Sequence, residues 1–211
     1  SSGQRYVQIA WPRALLEDNN GSFLGYTMPL VDTSQSVMLE QLLQKKERQL
    51  EGLREDYQFR VYVARNLSGA ISKVHEKGHG LVDLKPVNIL VYRDFGYVCL
   101  LDCDGYDIQG ERGIRHHAEL FTVEYLYPEG HTKKLRPDSV DPLEQDKFSL
   151  AVILFQILNN GLHPYQGRPV GTNVPPSIGE RIAEGLYCYG RKKNQQQQPS
   201  AQTLHEYFEN E

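Results

Sequence analysis

A mixed α+β fold in which helices carry most of the chain is what this sequence predicts, on three observations. Two long stretches, 56–77 and 146–158, either repeat apolar residues at helical spacing or are apolar on most faces. Short apolar, partly β-branched runs at Ser22–Met28, Ile89–Tyr92 and Tyr97–Leu101 lie beside turn residues, as strands do. The length of 211 residues, with 39% hydrophobic and 24% charged residues, suits one globular domain or two tightly packed lobes.

Taken in order, Tyr6–Trp11 and Ser22–Met28 read as the two strands of a hairpin, with Asp18-Asn-Asn-Gly21 as the turn signal. Asp32-Thr-Ser then offers a helix cap, and Leu39, Leu42, Leu43 and Leu50 give the stretch Val37–Leu53 a helical apolar face. A longer helix is expected over Asp56–Lys77, with Phe59, Tyr62, Val63, Leu67, Ala70, Ile71 and Val74 on one side and Gly78 ending it. Ile89–Tyr92 and Tyr97–Leu101 pair across the turn Arg93-Asp-Phe-Gly96. Asp102–Pro142 has no sustained period and reads as a long functional loop. Asp146–Leu158 is a central buried helix, Pro164–Pro176 a loop and Ile178–Gly185 a short helix. Gln195–Gln198 reads as a solvated connector, and Pro199–Phe208 as a final amphipathic helix.

The formal net charge of −4 and a pI near 6.0 argue against a surface devoted to nucleic-acid phosphate. Three cysteines, Cys99, Cys103 and Cys188, are too few and too irregular for a disulfide framework and lack metal-ligand spacing, so a reducing cytoplasm is expected. The longest apolar run, Leu150–Phe155, falls far short of the ~20 residues that cross a bilayer. No direct nucleic-acid partner and no membrane partner are expected.

The chemistry concentrates in Gly80-Leu-Val-Asp-Leu-Lys-Pro-Val-Asn88, which puts an acid, a base and an amide into one turn ahead of an apolar strand. Phosphoryl transfer asks a protein to orient a hydroxyl, to neutralise the transferred group and to hold magnesium. Asp83 suits the first task, Lys85 the second and the amide oxygen of Asn88 the third. A second metal carboxylate is supplied by Asp102, at the end of the next strand, or by Asp104. By spacing alone such a turn is more often an ordinary polar loop, and the order of the motifs that follow is what raises it above that reading. Lys45-Lys-Glu-Arg48 and Arg191-Lys-Lys193 read as solvated faces, His116-His117 as exposed loop and Cys103 as packing.

On these residues the chain resembles the protein kinase family, of the Ser/Thr type, over nearly its whole length. Asp83-Leu-Lys-Pro-Val-Asn88 resembles the catalytic loop, and Asp102-Cys-Asp104 stands where the metal-binding Asp-Phe-Gly does. Tyr127-Pro-Glu129 resembles the close of the activation segment, and Asp146-Lys-Phe-Ser-Leu150 the start of the large helix whose Asp ties down the catalytic-loop backbone. The resemblance implies a bilobal kinase-like fold, with partial N-lobe strands and hinge over 1–31 and a helical C-lobe over 32–211. It implies Asp83, Lys85 and Asn88 as catalytic residues and Asn88 and Asp102 as Mg²⁺ ligands. ATP would be held by Thr27, Met28, Leu30, Leu90, Asn88 and Asp102, and the partner would be a protein substrate phosphorylated on Ser or Thr, a preference that Lys85 and Thr122 also suggest. Ala10-Trp-Pro-Arg13 with Gly25-Tyr-Thr-Met-Pro29 is similar to bacterial kinases found with helix-hairpin-helix modules or in tellurite-resistance and stress operons.

The departures carry expectations too. Leu81 and Val82 replace the usual His-Arg, so no arginine there can pair with a phosphorylated activation segment, and activity is expected not to depend on that pairing. Asp104 replaces Gly. Glu129 lacks the usual late Arg, for which Arg191 is the substitute in view, and the Gly-rich loop, strand Lys and helix Glu are expected upstream in a longer chain. A nucleotide-binding or protein-interaction scaffold without catalysis is the competing class, favoured by the same departures. A small-molecule phosphotransferase is disfavoured by Thr122 and Tyr127-Pro-Glu129.

Overall fold

The computed structural model describes residues 6–132, 141–171, 176–190 and 197–201. Its first residues, 6–11, form no hairpin strand. They run as irregular chain against the later sheet, with one parallel bridge from Ile9 to Leu100, and with Ala10 N donating to Leu100 O at 2.9 Å and Leu100 N to Gln8 O at 2.9 Å. The hairpin lies further on, between β1 (Ala14–Glu17) and β2 (Phe23–Thr27), which pair antiparallel. Asp18 makes its turn: Oδ1 accepts from Asn20 N and Ser22 N, both at 2.8 Å. The run 6–11 reads as a hairpin strand from the turn signal that follows it, but its backbone partner is Leu100 and of its residues only Ala10 is buried.

The expected helix over 37–53 is divided. β3 (Ser36–Met38) takes its first residues into a sheet, and α1 (Leu39–Leu43) and α2 (Lys45–Leu50) are separated by Gln44 in an extended conformation, φ −93° and ψ 122°. Leu39, Leu42 and Leu43 are buried, but Leu50, assigned to the same face, is 80% exposed because the break rotates α2 away. α3 (Tyr57–His75) agrees with expectation except at Tyr62, which is 41% exposed. Asp56 caps it by accepting from Phe59 N at 2.8 Å, and Phe59, Val63, Leu67, Ile71 and Val74 bury one stripe.

β4 (Ile89–Tyr92) and β5 (Val98–Leu100) join β3 in an antiparallel sheet of order β3-β4-β5. Alternation divides their side chains between two cores. Ile89, Val91, Val98 and Leu100 enter the main cluster with α1 and α3, whereas Leu90, Tyr92 and Cys99 enter a smaller one with Ala10.

The stretch after Asp102 is not featureless: β6 (Ile108–Gln109) pairs with β7 (Arg115–His116), and α4 (Pro128–Thr132) follows. α5 (Pro142–Leu158) begins before Asp146, its cap Asp141 accepting from Leu143 N at 3.0 Å and from Glu144 N at 3.2 Å, and packs on α3. β8 (Gly167–Pro169) lies within the expected loop 164–176 and pairs with β9 (Gln197–Pro199), past α6 (Ile178–Ala183). The solvated-connector reading of Gln195–Gln198 is therefore corrected for Gln197, which is buried at 2% exposure. Pro199 ends β9, and the rest of the expected last helix, from 202 on, lies outside the described residues, as does Arg191. Among the described residues no helix is long and apolar enough to cross a membrane.

Candidate functional site

α5 holds the polar turn from below. Asp146, fully buried, accepts from Val82 N on Oδ1 and from Leu81 N on Oδ2, both at 2.7 Å, and its Oδ2 lies 2.8 Å from His75 Nε2. The neighbouring Gln145, also buried, donates from Nε2 to Val82 O at 3.1 Å and to Tyr125 O at 2.9 Å, while its Oε1 accepts from Tyr127 N at 3.1 Å. One helical turn thus binds the backbone of Leu81 and Val82 to that of Tyr125 and Tyr127. Val82 is left-handed, with φ 59°, a conformation that costs a β-branched residue about 1–2 kcal/mol. The two buried contacts to its N–H and C=O hold it there, and they set the direction in which Asp83 leaves the loop.

Asp83 is held at both oxygens. Lys85 Nζ donates to Oδ2 at 2.5 Å and Thr122 Oγ1 to Oδ1 at 2.7 Å, with Lys85 Nζ 3.1 Å from the same hydroxyl. Residues 37 positions apart therefore meet in one acid–ammonium–hydroxyl triangle. Pro86–Asn88 make a 3₁₀ turn that carries Asn88 to the head of β4, where Nδ2 donates to Asp102 Oδ2 at 3.2 Å and to Asp83 O at 3.4 Å. Asp102 is also left-handed, φ 58°, at the turn out of β5. Its carboxyl is raised above the usual carboxylate range, first by burial and then by hydrogen bonding and charge from Asp104. Asp83, Asn88 and Asp102 share a crevice of about 10 Å³ with Leu81, Leu84 and Tyr106.

These donors fit a magnesium ion. The Asp102 carboxyl, whose proton affinity is raised by burial and by the neighbouring Asp104, is relieved by a divalent cation, and Asn88, whose Nδ2 makes both its contacts, presents Oδ1 as a hard oxygen ligand. Two protein oxygens suit an ion that keeps several waters and takes its other ligands from phosphate. Among the described residues there is no group of three or more His, Cys, Asp or Glu that could hold a metal ion, so Mg²⁺ would rest on Asp102 and Asn88 and on ligands from outside the chain.

The residues expected around adenine lie at the end of β2, beyond it and in β4. Thr27 ends β2, and Met28 and Leu30 beyond it are exposed at 44% and 93%. Leu90, at 6%, is packed in the smaller core with Ala10, Tyr92 and Cys99, against which Val31 lies. The structure brings Asp83, Lys85, Asn88, Asp102 and Thr122 into direct contact. Thr27 belongs to the separate two-stranded sheet of β1 and β2, Met28 and Leu30 follow it, and Leu90 is in β4.

Sequence reading missed a second anchor. Asp107, 1% exposed, faces Arg115 Nε with Oδ1 and His117 Nδ1 with Oδ2 at 3.0 Å, and its backbone bridges to Gly80. His117 is thus a partner of a buried carboxylate instead of free loop. An acid followed by Arg at eight residues and His at ten was the available signal. Gln145 and His75 were missed because amides and single histidines on helices are ordinary by themselves.

No protein-family model matches the chain. The chain is similar to curated proteins named as protein kinases. It is 29% identical over 182 residues to "Protein kinase YegI" of Escherichia coli O157:H7 and, at the same identity and length, to that of strain K12, covering 86% of this chain and 28% of each relative. Over 122 residues it is 35% identical to "Serine/threonine-protein kinase AtPK1/AtPK6" of Arabidopsis thaliana, covering 56% of this chain and 23% of that protein. The chain thus spans about a quarter of the length of the curated relatives it matches.

Proposed function

We propose that this chain is the helical C-lobe (32–211), with hinge and partial N-lobe strands (1–31), of a bilobal protein kinase-like domain. In its complete form it transfers the γ-phosphoryl group of MgATP to Ser or Thr of a protein. The observation that carries the proposal is the triangle of Asp83, Lys85 and Thr122, in which a carboxylate and an ammonium already grip one threonine hydroxyl at 2.7 and 3.1 Å. A substrate hydroxyl entering the same place would have its proton aimed at Asp83, while Lys85 offsets the charge on the group being transferred. A cleft of about 380 Å³ lined by Lys85, Pro86, Thr122 and Tyr125 gives a polypeptide access to that point. Asn88 and Asp102 would hold Mg²⁺, which when bound neutralises the phosphate oxygens. Thr27, Met28, Leu30 and Leu90 would line the nucleotide base. Similarity to proteins named as kinases supports the reading. So do the three buried free cysteines for a cytoplasmic location, and Ala10-Trp-Pro-Arg13 for a bacterial group.

The test is radiolabel transfer from MgATP to a protein acceptor by the complete parent chain and by its Asp83→Asn variant. A drop of about 100-fold or more is expected, as for loss of a positioned base. Equal transfer by both would sink the assignment. Nucleotide binding without transfer by either would favour the scaffold reading, which Leu81, Val82 and Asp104 otherwise recommend.

A further inference from the structure

A cavity of about 590 Å³ lies between α3 and the irregular segment at 8–11, and neither Asp83 nor Lys85 lines it. Its walls are Ile9, Trp11, Ala70, Val74 and Leu100. Trp11 stacks on His79 with ring centroids 5.5 Å apart and planes inclined by 21°, which makes one wall a flat aromatic surface. The floor contains Gly69, in the middle of a 19-residue helix. Glycine weakens a helix interior relative to alanine, and a Cβ added at 69 would meet nothing within 4 Å, so no packing inside the fold accounts for the choice. The open space over Gly69 belongs to the cavity.

The rim is cationic. Lys73 and Lys77 line it and no carboxylate does. Lys73 is paired with Glu76 at 2.7 Å, just outside the lining, whereas Lys77 forms no ion pair among the described residues. A volume in the range of small-ligand sites, a flat apolar wall and one ammonium in no direct ion pair among the described residues define complementary chemistry. We infer that this cavity binds a small amphipathic anion, with a flat apolar body against Trp11 and Gly69 and a carboxylate, sulfonate or phosphate group at Lys77. The site is separate from the nucleotide and peptide positions proposed above. It adjoins them through Leu100, which bridges to Ile9 and stands two residues before Asp102.

Trp11 is the only tryptophan in the sequence, so its indole N–H gives a single reporter resonance. The test titrates the isotopically labelled 211-residue chain with 8-anilinonaphthalene-1-sulfonate and with its uncharged relative N-phenyl-1-naphthylamine. The sulfonate should shift the indole resonance saturably, and the uncharged probe should bind about threefold or more weakly, as should the sulfonate to Lys77→Glu, in line with one exposed charge contact. Gly69→Leu, whose side chain enters open space, should keep the unfolding transition and lose the shift. The inference is overturned by no indole shift, by the same shift in Gly69→Leu, or by equal affinity for the two probes. Should Gly69→Leu fail to fold, the exposed Lys77→Glu variant and the probe pair decide alone.

Discussion

Replacing Asp146 probes how the polar turn is held, without reference to any reaction. The carboxylate is fully buried and serves Leu81 N, Val82 N and His75. Asp146→Ala leaves two buried N–H donors without acceptors, each costing roughly 1–3 kcal/mol, or about 2–6 kcal/mol together. Taking about 4 kcal/mol, and about 2–4 °C per kcal/mol for a chain of this size, Tm should fall by about 8–16 °C. Asp146→Asn should cost about half as much, because its oxygen can keep Leu81 N and His75 while its NH₂ confronts Val82 N, donor to donor. Thermal unfolding followed by circular dichroism measures both, and native-state hydrogen exchange should show Leu81 and Val82 opening well below the global free energy. Adding His75→Ala to Asp146→Ala should cost almost nothing further, since the partner has already gone. A loss below about 1 kcal/mol for Asp146→Ala, or unchanged protection at both amides, would refute the assignment of Asp146 as the anchor.

His163 should give the fold a pH dependence. Burial lowers it from 6.5 to about 4, and its Nδ1 accepts from Tyr165 N at 3.2 Å while Nε2 donates to Glu124 O at 3.0 Å, so a proton on Nδ1 would break a contact. The unfolded chain takes that proton first as pH falls. The stability is therefore complete above about 6.5 and is lost on the way to about 4, up to about 3 kcal/mol. Urea midpoints measured across that range should slope, and should slope less in His163→Gln. Gly161→Ala should lower Tm by at least about 4 °C, because φ is +82° and the added Cβ would lie 2.5 Å from Leu43 O. An unchanged Tm there would mean that α1 shifts freely.

What the sequence made legible was local. The stripe of α3 and the apolar body of α5 are written within single helices, and β4 and β5 are joined by a short turn, so a window of residues contains their signal. Asp83, Lys85, Asn88 and Asp102 were named from spacing and order, and the structure brings them together. What was illegible depends on distant partners. Val37 joins β4 across 54 positions and Gln197 meets Pro169 across 28, and neither pairing leaves a trace in its own neighbourhood. The break at Gln44 was hidden because Leu39 to Leu50 keep helical spacing on both sides of it. Asp107 was overlooked because an Arg eight and a His ten residues further on is too common a spacing to mark a carboxylate as buried.

The two carboxylate anchors differ in how much chain each must close. Asp107 meets Arg115 and His117 across 8 and 10 residues, whereas Asp146 reaches Leu81 and Val82 across 65 and 64. For flexible loops that ratio makes the second closure about 2 kcal/mol harder in chain entropy. The segment after Asp102 therefore carries the counter-ion for its own buried acid nearby in sequence, while the turn bearing Asp83 and Lys85 is organised by a residue that must first be brought to it. Order around Asp83 and Lys85 is in this sense borrowed from α5, and order in the segment facing them is its own.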